Sequence, residues 1–315
     1  MIRKLACLVT LLCIQWAGAS ELIAHRDSIP ENYEFWLYVP YDSLEVNVTY
    51  TDSSEVQKQD GDSVVVEKVY TDSVVTPVKY PVVIYLHGRS KCGHNLQQVL
   101  DYGSIDAVKH GRDIRAFIIS PQVPCGQWWN PSKIMEIVDW VSARYPVDAD
   151  RVYALGMSLG GYGTMDLAAA YPDRIAAAMA LCGGFRAKDP YENLAKLPLW
   201  VVHGTADEKV RVGESQRPVE RVRQKAPKDA AKRLLADWLV GYNHSRLARI
   251  FYMPQTYNWL FSHSLQDEGR PVKKTFSLTD AVIDNAYKGF NRTFWKTVRI
   301  KDSLAKPKDK KAGSK

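Results

Sequence analysis

A serine between two glycines, Gly156-Met157-Ser158-Leu159-Gly160, is the stretch of this chain whose residue types point most directly to chemistry. It closes a short apolar run, Arg151 to Met157, that reads as a buried strand. Beyond it Gly161, Met165, Leu167 and Ala168 to Ala170 suit a helix lying close on a sheet. The turn from such a strand into such a helix leaves no room for side chains on its flanks, hence the glycines, and it holds the serine strained with its hydroxyl exposed. That is how a nucleophile is presented, and Ser158 is the candidate. The same five residues also make an ordinary strand-to-helix turn in which Ser158 only caps the helix, so the pattern needs partners elsewhere in the chain.

A serine hydroxyl becomes nucleophilic when a base removes its proton and a carboxylate fixes the tautomer of the base and stabilises its charged form. Seven histidines are available, at 25, 87, 94, 110, 203, 244 and 263. In an α/β-hydrolase the order is serine, acid, histidine, which leaves His203, His244 and His263. His203 precedes the acid candidates, and His263 ends a helical stretch beside Phe261, where it reads as a helix-terminal charge. His244, in the turn-like Gly241-Tyr242-Asn243-His244 after a strand, is therefore the candidate base. Asp207 lies just past a strand end in His203-Gly204-Thr205-Ala206-Asp207 and is the candidate acid, with Glu208 as the alternative; Asp237 sits inside a strand. An aspartate that merely caps the next turn would look the same as Asp207. The negative oxygen formed on an attacked carbonyl needs two converging N–H donors. Leu159 is expected to supply one, and the loop His87-Gly88-Arg89-Ser90 the other, from Arg89 or else Ser90; His87 itself reads as structural.

The elements that must position these groups alternate regularly. Strands are expected at 31–39, 82–86, 116–119, 151–157, 175–181, 199–202 and 233–238, and helices at 95–110, 215–225 and 255–263. A further helix capped by Ser132 carries Ile134, Ile137, Val138 and Val141 on one face. Strands alternating with helices imply right-handed βαβ units, hence an α/β fold with a mostly parallel central sheet flanked by helices on both faces. Functional residues in such a sheet gather at the carboxyl ends of its strands. Residues 41–79 depart from this rhythm: Asp, Ser, Thr and Val predominate, and the alternation of Val64, Val66 and Lys68 predicts an exposed hairpin inserted into the domain.

With 315 residues and 46% hydrophobic content the chain can build a large core. Arg3 and Lys4 ahead of the apolar run Leu5 to Trp16, followed by Ala17-Gly18-Ala19, read as a signal peptide over 1–19. The mature chain is then expected to be exported, periplasmic or secreted, with a single α/β domain over 20–268 and a C-terminal extension over 269–315. The basic end of that extension reads as solvated and mobile. No later segment is long and apolar enough to span a membrane, and no basic surface interleaved with aromatics argues for nucleic acid. Removing Arg3 and Lys4 lowers the formal charge from +7 to +5, and much of the excess lies in the lysines from 301 onward. Of the three cysteines after residue 19, Cys92 and Cys125 follow strand-like runs whose ends can meet, so a bridge between them is one possibility and two buried thiols the other; Cys182 remains over.

Taken together, Leu86-His87-Gly88, Ser120-Pro121-Gln122, Gly156 to Gly163, Asp166 to Asp173, His203-Gly204 with Asp207, and His244 followed by Tyr257-Asn258-Trp259-Leu260 resemble the α/β-hydrolase superfamily. More narrowly they are similar to the esterases grouped with carbohydrate esterase family 1 and the polyhydroxybutyrate depolymerase-like enzymes, over roughly residues 31 to 264. The resemblance implies a serine esterase with the triad Ser158, Asp207 and His244, no metal or other cofactor, and acyl esters as substrate: a small molecule, or feruloyl or acetyl groups on plant polysaccharide. Trp128 and Trp129, after Pro121-Gln122-Val123-Pro124, offer aromatic faces for a sugar or feruloyl ring, and Gln122 is a further candidate for the pocket. Two departures stand out: the insertion at 41–79, and Ser245-Arg246 after His244, where relatives often place a tryptophan nearby. Rival readings are a serine peptidase of prolyl-oligopeptidase type, a lipase or polyester depolymerase, and a carbohydrate-binding protein on a hydrolase scaffold. The first usually carries a propeller domain that residues 21–79 are too few to build.

Overall fold

The computed structural model of the chain describes residues 10–17, 20–40, 43–57, 63–76, 79–187, 189–291 and 293–302. It divides into two compact units, one of residues 1–19 and 41–78, the other of residues 20–40 and 79–315. In the first unit β1 (Thr10–Ala17), β4 (Ser43–Gln57) and β5 (Ser63–Thr76) form an antiparallel sheet in the order β1-β4-β5. β4 and β5 pair without interruption from Leu44↔Thr76 to Gln57↔Ser63, the hairpin that the alternating residues predict. β1 falls in the stretch read as a signal peptide, whose residues 1–9 and 18–19 lie outside the described residues.

The second unit is built on nine strands: β2 (Glu21–His25), β3 (Phe35–Val39), β6 (Tyr80–Leu86), β7 (Phe117–Pro121), β8 (Val147–Met157), β9 (Ala177–Leu181), β10 (Leu199–Gly204), β11 (Leu234–Leu239) and β12 (Arg299–Asp302). Their order is β11-β10-β9-β8-β6-β7-β3-β2-β12. The six strands from β11 to β7 are mutually parallel, and β3 turns the edge antiparallel by pairing with both β7 and β2. Parallel strands covered on both faces read as unbroken apolar runs, and every residue of β6, β7, β9 and β10 is buried.

Helices α1 (Ser104–Lys109), α2 (Pro131–Ser142), α3 (Leu159–Ala170), α4 (Gly213–Lys225), α5 (Pro227–Arg233), α6 (Pro254–Phe261) and α7 (Asp280–Asp284) complete it. Val83 and Tyr85 of β6 cluster with Ile105 and Val108 of α1 and Trp259 and Leu260 of α6. Val82, Ile84 and Leu86, pointing to the other face, are buried as completely, and α2 and α3 contact the same sheet. Each such large side chain contributes on the order of 2 kcal/mol by leaving water.

Local chemistry shifts several expected boundaries. The cap of α2 is Asn130, whose side chain accepts the Ser132 N–H, with Pro131 as the first helical residue, so Ser132 does not cap. The helix expected over 95–110 is broken into a 3-10 stretch, Leu96–Asp101, and α1, because Gly103 takes φ 104° between them. The C-terminal extension is folded as far as Asp302: Ile283 and Ala286 are buried, and β12 pairs with β2. Its basic end, 303–315, lies outside the described residues. Among the described residues no helix is long and apolar enough to cross a membrane.

Candidate active site

Ser158 stands at the junction of β8 and α3 with φ 61° and ψ −121°, a backbone region that a serine enters only under constraint. The constraint is steric and comes from the glycines. A Cβ on Gly156 would strike the backbone of Gly160 and stand 2.7 Å from Thr164 Oγ1, and one on Gly160 would strike the carbonyl of Leu86 at the end of β6. The sharp turn is therefore possible only with glycine on both sides of the serine. The Ser158 N–H is held by the Leu181 carbonyl at 2.9 Å, which ties the turn to β9.

Asp207 follows β10 and is fully covered, its Oδ1 accepting the N–H groups of Lys209 (2.8 Å) and Val210 (2.9 Å). Its Oδ2 meets Nδ1 of His244 at 2.6 Å. Burial raises the carboxyl's pKa, but the bonds from Val210, His244 and Lys209 outweigh it and hold Asp207 below the ordinary 3.8. With Nδ1 committed to the carboxylate, His244 presents Nε2 as its free nitrogen. Its side chain is 19% exposed. The neighbour Glu208 is exposed, and Asp237, on β11, accepts Trp200 Nε1–H at 2.7 Å, so neither alternative acid meets this histidine.

Ser158 and His244 line one cavity of about 820 Å³, together with Gly88, Arg89, Ser90, Leu159, Tyr102, Trp128 and Tyr162. Among the described residues no hydrogen bond joins Ser158 to His244; unliganded sites often hold such pairs loosely. Leu159 is the first residue of α3, where an N–H has no partner within the helix. Arg89 and Ser90 enter from the loop after β6, so both expected sources of oxyanion donors border the same space as the serine.

Two expected pocket residues sit elsewhere. Gln122 is 3% exposed and its amide donates to the carbonyls of Lys91 (2.8 Å) and Asn95 (3.0 Å), holding a loop and not facing the cavity. Trp129 is 3% exposed and packs edge-on against His87, with ring centroids 4.9 Å apart, beneath Gly163. Trp128 is the indole that lines the cavity, 38% exposed, flanked by Tyr162 at 5.5 Å and by the Arg186 guanidinium at 4.3 Å. His87 is structural: Nδ1 lies 2.7 Å from the Gly88 carbonyl, Nε2 accepts the Val123 N–H, and burial lowers its pKa to about 4. His263 is also buried, bonded to the Trp259 carbonyl and the Lys273 N–H, and burial lowers its pKa, so it is no helix-terminal charge. Cys92 and Cys125 are bridged, with Cα atoms 4.9 Å apart.

Sequence reasoning missed Tyr102 and Cys182 at the site. Cys182 follows β9 with φ 38°, and its thiol lies within 4.8 Å of ligand atoms of Asp207 and His244. Among the described residues these three are the group that could hold a metal. They do not suit one: the 2.6 Å bond between Asp207 and His244 already engages the atoms an ion would need, and burial with the nearby Asp207 charge keeps the thiol protonated. No sequence signal marked Tyr102, which lies in an irregular loop.

Residues 72–246, which contain every element of this arrangement, match the family model described as "Putative esterase". The chain belongs to that esterase family. Over 125 residues it is 28% identical to poly(3-hydroxyalkanoate) depolymerase C of Paucimonas lemoignei, covering 34% of this chain and 29% of the relative. Over 54 residues it is 43% identical to acetylxylan esterase A of Emericella nidulans, covering 17% of this chain and 18% of the relative. The matched stretches thus span less than a third of either relative. FphF, a fluorophosphonate-binding serine hydrolase of Staphylococcus aureus solved with substrate bound, aligns with a TM-score of 0.50 and 16% identity over 77% of this chain and 99% of that one. The fold is that of the α/β-hydrolases.

Proposed function

We propose that this chain is a serine esterase in which Ser158 attacks the ester carbonyl and His244 Nε2 takes the proton and returns it to the leaving alcohol. Asp207 holds the imidazole by Nδ1 and stabilises its charged form, while the N–H groups of Leu159 and Arg89 receive the negative oxygen. Water then releases the acid through the same histidine. The observation that carries this reading is the covered Asp207 carboxylate 2.6 Å from a histidine that opens onto the cavity of a strained serine.

The substrates we favour are acyl groups on plant polysaccharide, feruloyl or acetyl. Support comes from the exposed Trp128 face on the cavity, suited to stacking on a sugar or an aromatic acid, and from the stretch shared with acetylxylan esterase A. The longer stretch shared with poly(3-hydroxyalkanoate) depolymerase C supports a second reading, hydrolysis of a polyester. A panel of feruloylated xylan fragments, acetylated xylan and short poly(3-hydroxybutyrate) oligomers separates the two. The first reading expects release of ferulate or acetate at least about tenfold faster than hydroxybutyrate, and the reverse order rejects it.

Export is part of the same proposal, resting on Arg3, Lys4, the apolar run and the small residues at 17–19. Cleavage after Ala19 would remove β1 and leave the β4–β5 hairpin. N-terminal sequencing of the protein recovered outside the cytoplasm should begin at Ser20; an intact Met1 there contradicts it.

A further inference from the structure

Tyr102 has no role in the mechanism above, yet its ring lines the cavity and its oxygen is bound in an unusual way. The phenol oxygen accepts the N–H of Gly88 at 2.6 Å, the residue before the expected oxyanion donor Arg89. Gly88 separates the phenol from the nucleophile: a Cβ placed on it would stand 3.0 Å from Tyr102 Oη and 3.4 Å from Ser158 Cβ. Phenol and serine therefore flank the same glycine at the edge of the same cavity. A phenol that accepts through oxygen still has its own proton to donate. An accepted N–H also polarises the phenol and makes it a stronger donor. Burial outweighs the bond from the Gly88 N–H and raises the pKa of Tyr102, so its proton is present at neutral pH. Lys91, 5.9 Å above the ring, is the nearby cation and is itself paired with Asp101; the Tyr85 ring lies edge-on at 6.1 Å and Phe251 at 6.2 Å.

We propose that Tyr102 is a further catalytic residue, whose phenol O–H donates a third hydrogen bond to the oxyanion formed on Ser158, beside the N–H groups of Leu159 and Arg89. The proposal rests on the serine-esterase reading. It gives the site one side-chain donor whose strength follows its acidity, unlike the two amides. A donor that acts on the developing charge affects turnover more than ground-state binding.

Two variants test it with p-nitrophenyl butyrate: Tyr102→Phe, and the chain with 3,5-difluorotyrosine incorporated at position 102. Tyr102→Phe should lower kcat by about 10² with KM within threefold. The difluorinated chain, with a more acidic phenol, should keep its kcat near pH 6 and lose about tenfold or more near pH 9, where the wild type does not. A phenol that only buttresses the Gly88 N–H predicts no such alkaline loss, so a difluorinated chain with the wild-type pH profile overturns the proposal, as does Tyr102→Phe with kcat within threefold. Wild-type protein that hydrolyses no ester and takes no fluorophosphonate label at Ser158 would instead overturn the esterase reading itself and this proposal with it.

Discussion

Two histidine-bearing segments converge on one carboxylate, and they differ in what they leave free. His203, at the end of β10, approaches Asp207 at 3.4 Å and is sealed from solvent. Nδ1 contacts Ser215 Oγ at 2.7 Å and Nε2 the Val210 carbonyl at 2.9 Å, so both ring nitrogens are engaged within the protein. His244 lies in the loop after β11, approaches the same carboxylate at 2.6 Å through Nδ1, and opens onto the cavity of Ser158. The same pair of groups is a brace in one place and, in the proposed mechanism, a proton-transfer device in the other. The deciding property is whether the second nitrogen has somewhere to take a proton from, and not how near the histidine is to an acid.

The comparison breaks most sharply at His244 and Asp207. His244→Ala should lower kcat for p-nitrophenyl butyrate by about 10⁴ with a smaller loss of urea stability than at His203, because Asp207 loses one partner but keeps the Lys209 and Val210 N–H groups. Asp207→Asn should cost a similar factor by holding the wrong tautomer, read from the same initial rates. His203→Ala should show the opposite balance: about 2–4 kcal/mol less stability in urea, from the polar groups left without a partner in a sealed place, and a far smaller fall in kcat of the folded enzyme.

Acidification sharpens the contrast by working on the braces. Burial holds His87 at about 4 in the folded chain against 6.5 unfolded, and lowers His203 as well. Between those values the unfolded chain binds more protons, so stability should be full above pH 6.5 and fall as the pH drops toward 4, by up to about 3 kcal/mol for His87. Asp207, held below 3.8, adds stability that is present above 3.8 and is lost as the pH falls through its lower folded value. Urea midpoints at pH 7, 5 and 3 should decline at each step; a flat profile between 7 and 5 would contradict the burial of neutral His87. The smallest effect is expected at Glu208→Gln, with kcat within twofold, since Glu208 is exposed beside the acid that meets His244.

Much of this was legible in the residues because buried parallel strands are continuous apolar runs. β6, β7, β9, β10 and β11 begin and end within about three residues of where such runs place them. β12 was not legible: Arg299–Asp302 is largely exposed, and its pairing with β2 uses backbone groups that composition does not encode. At the site, the glycines beside Ser158 report a steric need that only glycine meets, and the turn before His244 marks a loop. Gln122 and Trp129 misled because polarity and aromaticity state what a side chain can do, while strand pairing and packing decide which way it faces. Tyr102 comes to Gly88 through a loop whose path no periodicity specifies.

The central claim is that Ser158 is made reactive by His244 as Asp207 holds it. Reacting the folded protein with a fluorophosphonate and mapping the adduct by mass spectrometry tests this most directly. A single adduct on Ser158, lost in His244→Ala although that variant stays folded, is the expected result; an adduct on another residue, or equal labelling of Ser158 without His244, would contradict it.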